Sequence, residues 1–524
     1  MHIVIADALP ESAAETLRAA GWSVDARAGR GPDDLARDLE AADALIVRSA
    51  TQVTQALIEA APRLRVIARA GTGVDNVDVT AATARGVLVL NAAGANSVSV
   101  AEHALGLMLA LARDTAAADA SMKRGVWDKK RFTGIELRGK VLGIIGFGRI
   151  GREVATRAGA FAMDVIAHDP FLPARAAEAA GVPLVDLDDL LARADFISLH
   201  VPALPETRHL LDADRLRRCR RGVRIVNTAR GELIDEAAIA DAIETGHVAG
   251  AGLDVFEREP PSDPRLTSLP QVIATPHISA STREAQDLVG AEIATNVRDF
   301  LSAGVIRSAV NFPSIAPDDM PRVGPLLELA ERLGAVAAQL LAGAPDAIAI
   351  RYYGTALTAC QDLVGSTAIA GALSRAVENA TPVNARILAA ARGIEVIESR
   401  STRTRDFPNV ISVKMRSKDQ ERWIEGTVFE PASPRLCSLD GVAVEAALSG
   451  TLLVVSNEDR PGVIGEIGTS LGRHGVNIAR FALGRHDRGA VGVIAVDDGA
   501  GLEAAVTEIR ALPAVTDATL ARLR

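Results

Sequence analysis

The feature that most constrains this chain is a Gly-x-Gly-x-x-Gly turn between an apolar run and a helical pattern. The run at 141–145 is continuously apolar, and Gly146, Gly148 and Gly151 follow it. Such a run is typical of a buried parallel strand. The first glycine of the turn permits the sharp bend, the second lets backbone approach a pyrophosphate, and the third lets helix pack against strand. The spacing therefore predicts a dinucleotide-binding strand–turn–helix unit.

An acidic residue then follows the next apolar run, at 163–167. This residue, Asp169, is placed to accept hydrogen bonds from the adenosine ribose hydroxyls, and its charge would repel a 2′-phosphate. The helix N-terminus offers unpaired N–H groups and a partial positive charge to the phosphates. NAD, rather than NADP, is the predicted cofactor.

The length and composition limit the class of protein. A chain of 524 residues is too long for one core and predicts two to four domains. The net charge of −9 argues against a nucleic-acid partner. Three scattered cysteines predict a reducing, cytoplasmic setting. No signal peptide or membrane span is expected, so no membrane partner is predicted, and no metal site is predicted either.

Residues 1–93 alternate short apolar runs with helical patterns, which predicts a parallel α/β lobe with strands at 2–6, 44–48, 66–70 and 87–90. Arg48 and Arg69 each end a predicted strand, and a glycine-rich loop follows Arg69. Ligands bind at the carboxyl ends of strands in open parallel sheets, and the N–H groups of such a loop can bind an anion. The pattern predicts an anionic substrate.

The next part of the chain predicts a second lobe. The run at 96–113 is long and apolar, which predicts a helix buried on several sides, either within the subunit or, as we favour, at a subunit interface. Later strands complete a doubly wound sheet, predicted at 196–201, 224–228, 250–255 and 272–275. The cleft between two such lobes is the expected active site.

Three motifs at strand ends carry side chains suited to oxidation of an alcohol. They contain Arg230, Glu259 and His277. A base that removes a proton from a secondary alcohol needs a pKa near neutrality, which is the range of histidine. A carboxylate on the other ring nitrogen fixes the tautomer, and an arginine can hold the carboxylate of a 2-hydroxy acid bidentately.

These motifs resemble the D-isomer-specific 2-hydroxyacid dehydrogenase family over roughly residues 1–310. The resemblance implies that Arg230, Glu259 and His277 are catalytic and that Asp254 holds the nicotinamide amide. The implied NAD-binding residues are Gly146, Gly148, Arg149, Ile150, Gly151, Asp169, His200, Val201, Pro202, Thr207, Thr228, Ala229, Arg230, Asp254, His277 and Ser279. The implied substrate-binding residues are Arg48, Arg69, Gly71, Thr72, Gly73, Asn96, Arg230 and His277.

The chain continues for about 210 residues past that region. A proline-rich linker at 314–321 leads into an α/β segment, in which we expect the basic run at 400–405 to be solvated surface. The last 75 or so residues follow the order βαββαβ and resemble an ACT regulatory domain. That resemblance implies an amino-acid effector site at Asn457, Asp459 and Asn477.

The predicted architecture is α/β throughout. A flavodoxin-like substrate-binding lobe and an NAD-binding lobe, both doubly wound and Rossmann-like, precede an α/β intervening domain and the ACT domain. The predicted bounds are 1–93 with 278–310, 94–277, 311–449 and 450–524.

This domain order resembles the long branch of the family. It implies NAD-dependent oxidation of 3-phospho-D-glycerate to 3-phosphooxypyruvate, the first step of L-serine biosynthesis, in a homodimer or homotetramer. It also implies feedback by L-serine and a side reduction of 2-oxoglutarate.

Two other functions stay open. One is a reductase for glyoxylate, hydroxypyruvate or another 2-oxo acid. The other is a dinucleotide-sensing regulator, which the intact set of Arg230, Glu259 and His277 disfavours. The sequence also leaves open the direction of flux, the effector, the choice of dimer or tetramer, and whether residues 129–131 reach a neighbouring subunit's site.

Overall fold

The structure, a computed structural model, describes residues 1–523 except 174, 176, 178–179, 262, 316, 359, 404, 419, 430–431 and 488. The chain forms two compact units. One contains residues 1–8, 14–91 and 293–524, and the other contains residues 9–13 and 92–292. No described helix is long and apolar enough to cross a membrane. The four predicted domain boundaries remain a prediction.

The first unit begins with a five-stranded parallel sheet in the order β2-β1-β3-β4-β5, which is the flavodoxin-like order. The sequence analysis missed β2 because this half-exposed edge strand has no continuous apolar run. The strands β1–β5 are His2–Ile5, Ser23–Ala26, Ala44–Val47, Val66–Arg69 and Leu88–Asn91, and the helices α1–α4 are Glu11–Arg18, Pro32–Leu39, Gln55–Glu59 and Val79–Arg85.

The second unit contains a six-stranded parallel sheet in the order β7-β6-β8-β9-β10-β11. The chain order reverses between β6 and β8, so their carboxyl ends form the switch point at which open α/β sheets bind ligands. The strands β6–β11 are Val141–Ile145, Asp164–His168, Phe196–Leu199, Val223–Asn227, Val248–Leu253 and Val272–Ala274. The helices α5–α12 are Ser97–Ala112, Thr115–Lys123, Arg149–Ala160, Leu187–Arg193, Ala213–Arg218, Glu236–Glu244, Pro264–Ser268 and Arg283–Ala303. The last of these, α12, begins in the second unit and belongs to the first unit from residue 293 onward.

The long apolar helix α5 is buried within the second unit. Ala101, Ala104 and Met108 are completely buried. Gly252 on β10 makes room for the helix, because an added Cβ there would lie 3.0 Å from the Cβ of Leu107. The side of α5 that packs on the sheet is therefore buried within the subunit. The favoured prediction, that its apolar face lies at a subunit interface, is wrong for that side.

The rest of the first unit contains two further sheets. The intervening region has the strand order β13-β12-β14-β15-β16-β17, and the ACT region has the antiparallel order β19-β20-β18-β21. The strands β12–β17 are Ala347–Tyr353, Glu395–Ser401, Val410–Arg416, Glu421–Phe429, Ser433–Leu439 and Val442–Ala447, and β18–β21 are Thr451–Asn457, Ile478–His486, Gly489–Val496 and Val515–Arg522. The helices α13–α17 are Met320–Leu340, Gln361–Leu373, Ala385–Ala391, Val463–Arg473 and Leu502–Arg510.

These two sheets share one hydrophobic core. Leu333 of α13, Leu436 of β16, Leu452 of β18 and Val493 of β20 belong to the same buried cluster. The predicted βαββαβ order of the last segment is confirmed. In the intervening region the sequence predicts strands at about 346–353, 410–415 and 423–429, which correspond to β12, β14 and β15, and misses β13, β16 and β17.

Close packing of α13 on α14 depends on Gly334. A Cβ at this position would contact the carbonyl oxygen of Ala368 and would lie 2.9 Å from the backbone nitrogen of Ala372. These neighbours are backbone atoms of a helix and cannot rotate away. The two helices can therefore approach this closely only with glycine at 334.

We predict that Gly334→Ala lowers the free energy of unfolding by about 1–3 kcal/mol, because the added methyl overpacks the helix contact. Gly468→Ala is the matched control, since Gly468 also lies in a helix but has open space around it. Alanine has a better helix propensity than glycine, so Gly468→Ala should stabilise the protein by up to about 1 kcal/mol. Urea denaturation followed by circular dichroism compares the two, and equal midpoints would contradict the packing argument.

Candidate active site

The glycine turn lies at the switch point of the second unit, and its three glycines have different surroundings. Gly146 has φ +92°, and a Cβ there would lie 2.5 Å from the carbonyl oxygen of His200. A Cβ on Gly151 would contact the carbonyl oxygen of Gly146. Gly148, in contrast, has open space around it at the N-terminus of α7. The turn therefore leaves room for a ligand at its second glycine.

Asp169 is fixed beside this turn. Its carboxylate accepts hydrogen bonds from the backbone N–H of Phe147 at 3.0 Å and of Phe171 at 3.0 Å. Arg149 and Ile150 begin α7 on the other side of the turn. A carboxylate held by the glycine turn itself is in position to accept from a ribose.

A second loop at the switch point begins at His200, whose N–H donates to the carbonyl of Ile145 at 2.8 Å. Thr207 closes the loop by donating from its hydroxyl to the carbonyl of Pro202 at 2.7 Å. Burial lowers the pKa of His200 to about 4, so this imidazole is neutral at physiological pH. Val201 lies within the loop, and its Cγ1 would lie 2.7 Å from a Cβ added to Gly146.

The turn after β9 is held by Asn227. Its side-chain oxygen accepts from the N–H of Ala229 at 3.0 Å, and its amide donates to the carbonyl of Arg230 at 2.7 Å. Thr228, between them, is buried. These bonds fix the backbone from which the Arg230 side chain extends.

His277 and Glu259 form a hydrogen-bonded pair, with Nδ1 of the imidazole 2.8 Å from Oε2 of the carboxylate. Burial raises the pKa of Glu259, but the bonds from His277 and the N–H of Phe256 outweigh it and lower the pKa. The hydrogen bond to Glu259 raises the pKa of His277, against the opposing effects of burial and of the Arg230 charge. Because an ionised carboxylate only accepts, Nδ1 carries the proton and Nε2 of the neutral ring holds a lone pair.

His277 has a left-handed backbone, with φ +52°, which is uncommon for a residue other than glycine. Asp254 holds this segment in place. The N–H of His277 donates to the Asp254 carbonyl at 2.8 Å. The Asp254 carboxylate accepts from the N–H of Ile278 at 2.9 Å and of Ser279 at 2.8 Å. The sequence analysis placed Asp254 at the nicotinamide and did not foresee this anchoring contact.

His103 on α5 is a further member of this network that the sequence analysis missed. Its Nε2 lies 3.0 Å from the hydroxyl of Thr275, which donates to Asp254 at 2.6 Å. Burial raises the pKa of Asp254, but the bonds from His103, Thr275 and the backbone outweigh it and lower the pKa to about 2. A histidine on an apolar helix is usually a satisfied core residue, so the sequence carried no signal for this contact.

The substrate-binding residues implied by resemblance lie in both units. In the first unit, the Arg48 N–H donates to Asp7 at 2.5 Å, and its carbonyl accepts from Asn76 at 2.7 Å. The Arg69 guanidinium lies over the glycine loop, where a Cβ on Gly71 would be 2.7 Å from its Cζ.

Three residues complete this set. The Thr72 carbonyl, next to Gly73, accepts from Asn91 at 2.6 Å. Asn96, in the second unit, is buried directly before α5. The glycine-rich loop after β4 is thus held from β5, and its role in binding an anion remains a prediction.

The three residues implied as the effector site lie in the ACT region. Asn457 is buried, and its amide donates to the carbonyl of Glu458 at 2.7 Å. Asp459 accepts from Arg485 at 2.8 Å. Asn477 is exposed and donates to Asp497 at 3.2 Å. Each has a partner within its own domain, and none of the three bonds another.

Comparison with known proteins places these features in a family. Family models match three successive segments: the D-isomer specific 2-hydroxyacid dehydrogenase NAD binding domain at 105–279, the D-3-phosphoglycerate dehydrogenase intervening domain at 322–440 and the ACT domain at 451–514. A D-3-phosphoglycerate dehydrogenase from Methanocaldococcus jannaschii is 41% identical over 100% of both chains. The chain belongs to the D-3-phosphoglycerate dehydrogenase family.

Other similarities agree with this family assignment. A D-3-phosphoglycerate dehydrogenase from Mycobacterium tuberculosis is 43% identical over 93% of this chain and 92% of its own. The solved structure of a glyoxylate reductase from Paecilomyes thermophila is 31% identical, with a TM-score of 0.55, and covers 59% of this chain and 98% of its own. As a member of the D-3-phosphoglycerate dehydrogenase family, the protein is an NAD-dependent oxidoreductase, and the predictions of fold class and cofactor are confirmed.

The residues at the switch point fit NAD. Gly148 leaves open space in front of the N-terminus of α7, and Asp169 lies beside it. Two buried polar atoms, Oγ1 of Thr228 and Nδ1 of His200, have no hydrogen-bond partner among the described residues. Such atoms are rare unless a ligand or water satisfies them.

We predict that Asp169→Ser raises the KM for NAD by about tenfold or more, since a carboxylate acceptor contributes about 1.5–3 kcal/mol when it is hydrogen-bonded. The preference for NAD over NADP should also fall, because the charge that repels a 2′-phosphate is lost. Asp164→Ser, at the opposite end of β7, removes the same charge away from the turn and is the control. Equal cofactor kinetics in the two variants would contradict the role of Asp169.

Proposed function

We propose that this protein oxidises 3-phospho-D-glycerate to 3-phosphooxypyruvate, the first step of L-serine biosynthesis. The observation that supports it best is the full-length similarity to D-3-phosphoglycerate dehydrogenases, which extends through the intervening and ACT segments. The His277–Glu259 pair supplies a base of the required type.

In this proposal His277 is the general base. Its Nε2 accepts the hydroxyl proton of the substrate, and no described residue forms a hydrogen bond to that nitrogen. Glu259 holds Nδ1 in the protonated state and stabilises the imidazolium that forms. Asp254 keeps the histidine in its left-handed conformation through the backbone.

Arg230 orients the substrate carboxylate. Its charge opposes protonation of His277, but the hydrogen bond to Glu259 outweighs this effect and the pKa of His277 is raised. When NAD is bound, its nicotinamide accepts the hydride that leaves C2 of the substrate. The bonds from Asn227 fix the backbone of Arg230, so the guanidinium starts from a constant position.

Arg48 and Arg69 bind the anionic groups of the substrate, with the loop of Gly71, Thr72 and Gly73 and with Asn96. A substrate with a phosphate and a carboxylate carries several negative charges, and guanidinium groups bind such groups bidentately. The loop after β4 supports this assignment, because Asn91 holds it in place through the Thr72 carbonyl.

A reductase for glyoxylate, hydroxypyruvate or another 2-oxo acid is the second candidate, since a glyoxylate reductase shares the dehydrogenase part of the fold. We also propose a side reduction of 2-oxoglutarate to 2-hydroxyglutarate by the same residues. The ACT segment favours the serine-pathway function, because the glyoxylate reductase covers only 59% of this chain.

L-serine is the proposed effector, bound at Asn457, Asp459 and Asn477 of the ACT domain. The proposed assembly is a homodimer or homotetramer, in which residues 129–131, all exposed in this chain, reach a neighbouring subunit's site. The protein is proposed to work in the cytoplasm.

We predict a pH profile set by His277. Because Glu259 raises the pKa of His277, the rate of alcohol oxidation should fall as the pH drops through that raised pKa and the ring becomes protonated. Glu259→Gln should move this acidic limb to lower pH and reduce the plateau, while His277→Ala should lower kcat about 10²-fold or more at every pH.

Glu257→Gln is the control for this profile, since Glu257 pairs with His209 at 3.1 Å in the same unit. It should leave the acidic limb in place. Near-normal turnover of His277→Ala, or an unmoved limb in Glu259→Gln, would remove the pair from the mechanism.

We predict that a substrate panel read at 340 nm, with and without L-serine, favours phosphorylated over unphosphorylated acids. Arg48→Gln should raise the KM for the phosphorylated substrate by about tenfold or more, as expected for a charge-assisted contact. Arg63→Gln, an exposed arginine in the same unit that pairs with Asp43, is the control. A preference for unphosphorylated acids would favour the reductase, and a rate unaffected by L-serine would contradict the effector proposal.

A further inference from the structure

The basic run at 400–405 was expected to be solvated surface, and Arg400 and Arg403 are exposed. Together with Arg405 they also line a cavity of about 410 Å³ in the intervening region. The cavity lies between the segment that follows β12 and the segment that follows β13. We call it the arginine cavity. The residues that define it are Tyr353, Leu357, Arg400, Arg403, Arg405 and Phe407.

The inner wall of the arginine cavity is apolar. Tyr353 and Leu357 are buried, and Phe407 is half-buried against the ring of Phe429, with centroids 5.6 Å apart. Aromatic rings of this kind offer a large apolar surface with little rotational freedom. The wall therefore suits a flat or compact apolar group.

Arg405 is held rigidly at this wall. Its guanidinium lies 4.4 Å from the ring centroid of Tyr353 and donates to the Tyr353 hydroxyl at 3.0 Å. It also forms an ion pair with Glu425 at 2.6 Å. Its Nε is buried and has no hydrogen-bond partner among the described residues. This unmet donor at a cavity wall is the kind of group that a bound acceptor satisfies.

Arg400 and Arg403 carry charge that the protein does not neutralise. Arg400 donates to the neutral amide of Gln361, and Arg403 lies exposed at the rim. In the part of the chain that the structure describes, Glu425 is the only carboxylate that forms an ion pair with any of the three arginines. Three guanidinium groups around one cavity with one paired carboxylate produce a net positive site.

We propose that the arginine cavity binds a small organic anion in which one carboxylate or phosphate group is attached to an apolar or aromatic body. Arg400 and Arg403 bind the anionic group, and Tyr353, Leu357 and Phe407 bury the body. Guanidinium groups match both carboxylate and phosphate in geometry, so the anionic group is specified by charge and the body by the apolar wall. The cavity lies wholly in the first unit, whereas the glycine turn, Arg230, Glu259 and His277 lie in the second.

Isothermal titration calorimetry with phenyl phosphate tests this inference on the full-length protein saturated with NADH. We expect one site per chain, with at least tenfold weaker binding of phenol and of inorganic phosphate, because each lacks one of the two features. Arg403→Gln should weaken phenyl phosphate binding by about tenfold, as the loss of a charge-assisted bond does. Arg392→Gln is the control, since Arg392 is exposed outside the cavity and its guanidinium donates to the carbonyl of Leu388.

The backbone N–H of Arg403 donates to the Ser401 hydroxyl at 3.3 Å, and this bond survives replacement of the side chain. The Arg403 guanidinium forms no hydrogen bond or ion pair among the described residues, so Arg403→Gln should not unfold the protein, and matching near-ultraviolet circular dichroism verifies this. Leu357→Trp offers a second variant that fills the cavity and should abolish binding. No heat of binding, equal affinity of Arg403→Gln and Arg392→Gln, or equal binding of inorganic phosphate would each overturn the inference. Binding that disappears when NADH is present would place the ligand in the nucleotide site and would also overturn it.

Discussion

The geometry of the candidate site depends on the hydrogen bonds of one buried carboxylate, that of Asp254. It is completely buried, yet it stays ionised because the N–H groups of Ile278 and Ser279 and the hydroxyl of Thr275 all donate to it. An ionised group at such a position is tolerated only when its hydrogen bonds are satisfied. The consequence is that the segment after β11 has one arrangement, and His277 keeps a left-handed backbone that would otherwise be unfavourable.

The position of the cofactor follows from strand order rather than from the glycines alone. Gly146 has a positive φ, and the neighbouring His200 carbonyl leaves no room for a Cβ there; that neighbour is adjacent only because β8 pairs with β6. The glycine pattern and the His200 loop are 54 or so residues apart in sequence but meet at the switch point. The sequence could predict both, because each follows an apolar run with a recognisable end.

Other elements gave weaker signals. Strand β2 was missed because it is an edge strand with half-exposed residues, and β13 was missed because its polar positions face solvent. The hairpin of β16 and β17 did carry a signal: Asp440 and Gly441 both have positive φ, which Asp-Gly in a tight hairpin turn predicts. In that case the pattern was present and was not used.

Contacts between residues far apart in sequence were the hardest to foresee. The bond of His103 to Thr275 joins a helix to a strand end 172 residues later, and nothing in either local pattern indicates the other. The pairing of His277 with Glu259 rather than with Glu257 was expected only from the family resemblance. Both acids lie in one short loop, and the fold directs Glu257 to His209 instead. The choice between such neighbours is made by backbone direction, which composition and spacing do not encode.

Residues of the intervening region form hydrogen bonds with the turn between α4 and β5 of the first sheet. Thr381 donates to the carbonyl of Gly86 at 3.1 Å, and Asn384 donates to the carbonyl of Ala84 at 3.2 Å. Gly86 ends α4 directly before β5, and Asn91 at the far end of β5 holds the loop after β4. A ligand in the tail can alter catalysis only by as much as its affinity differs between two arrangements of these contacts. Since Asn384 is almost completely buried and satisfies the turn on both sides, any second arrangement must replace its hydrogen bonds, and this requirement limits regulation to discrete states.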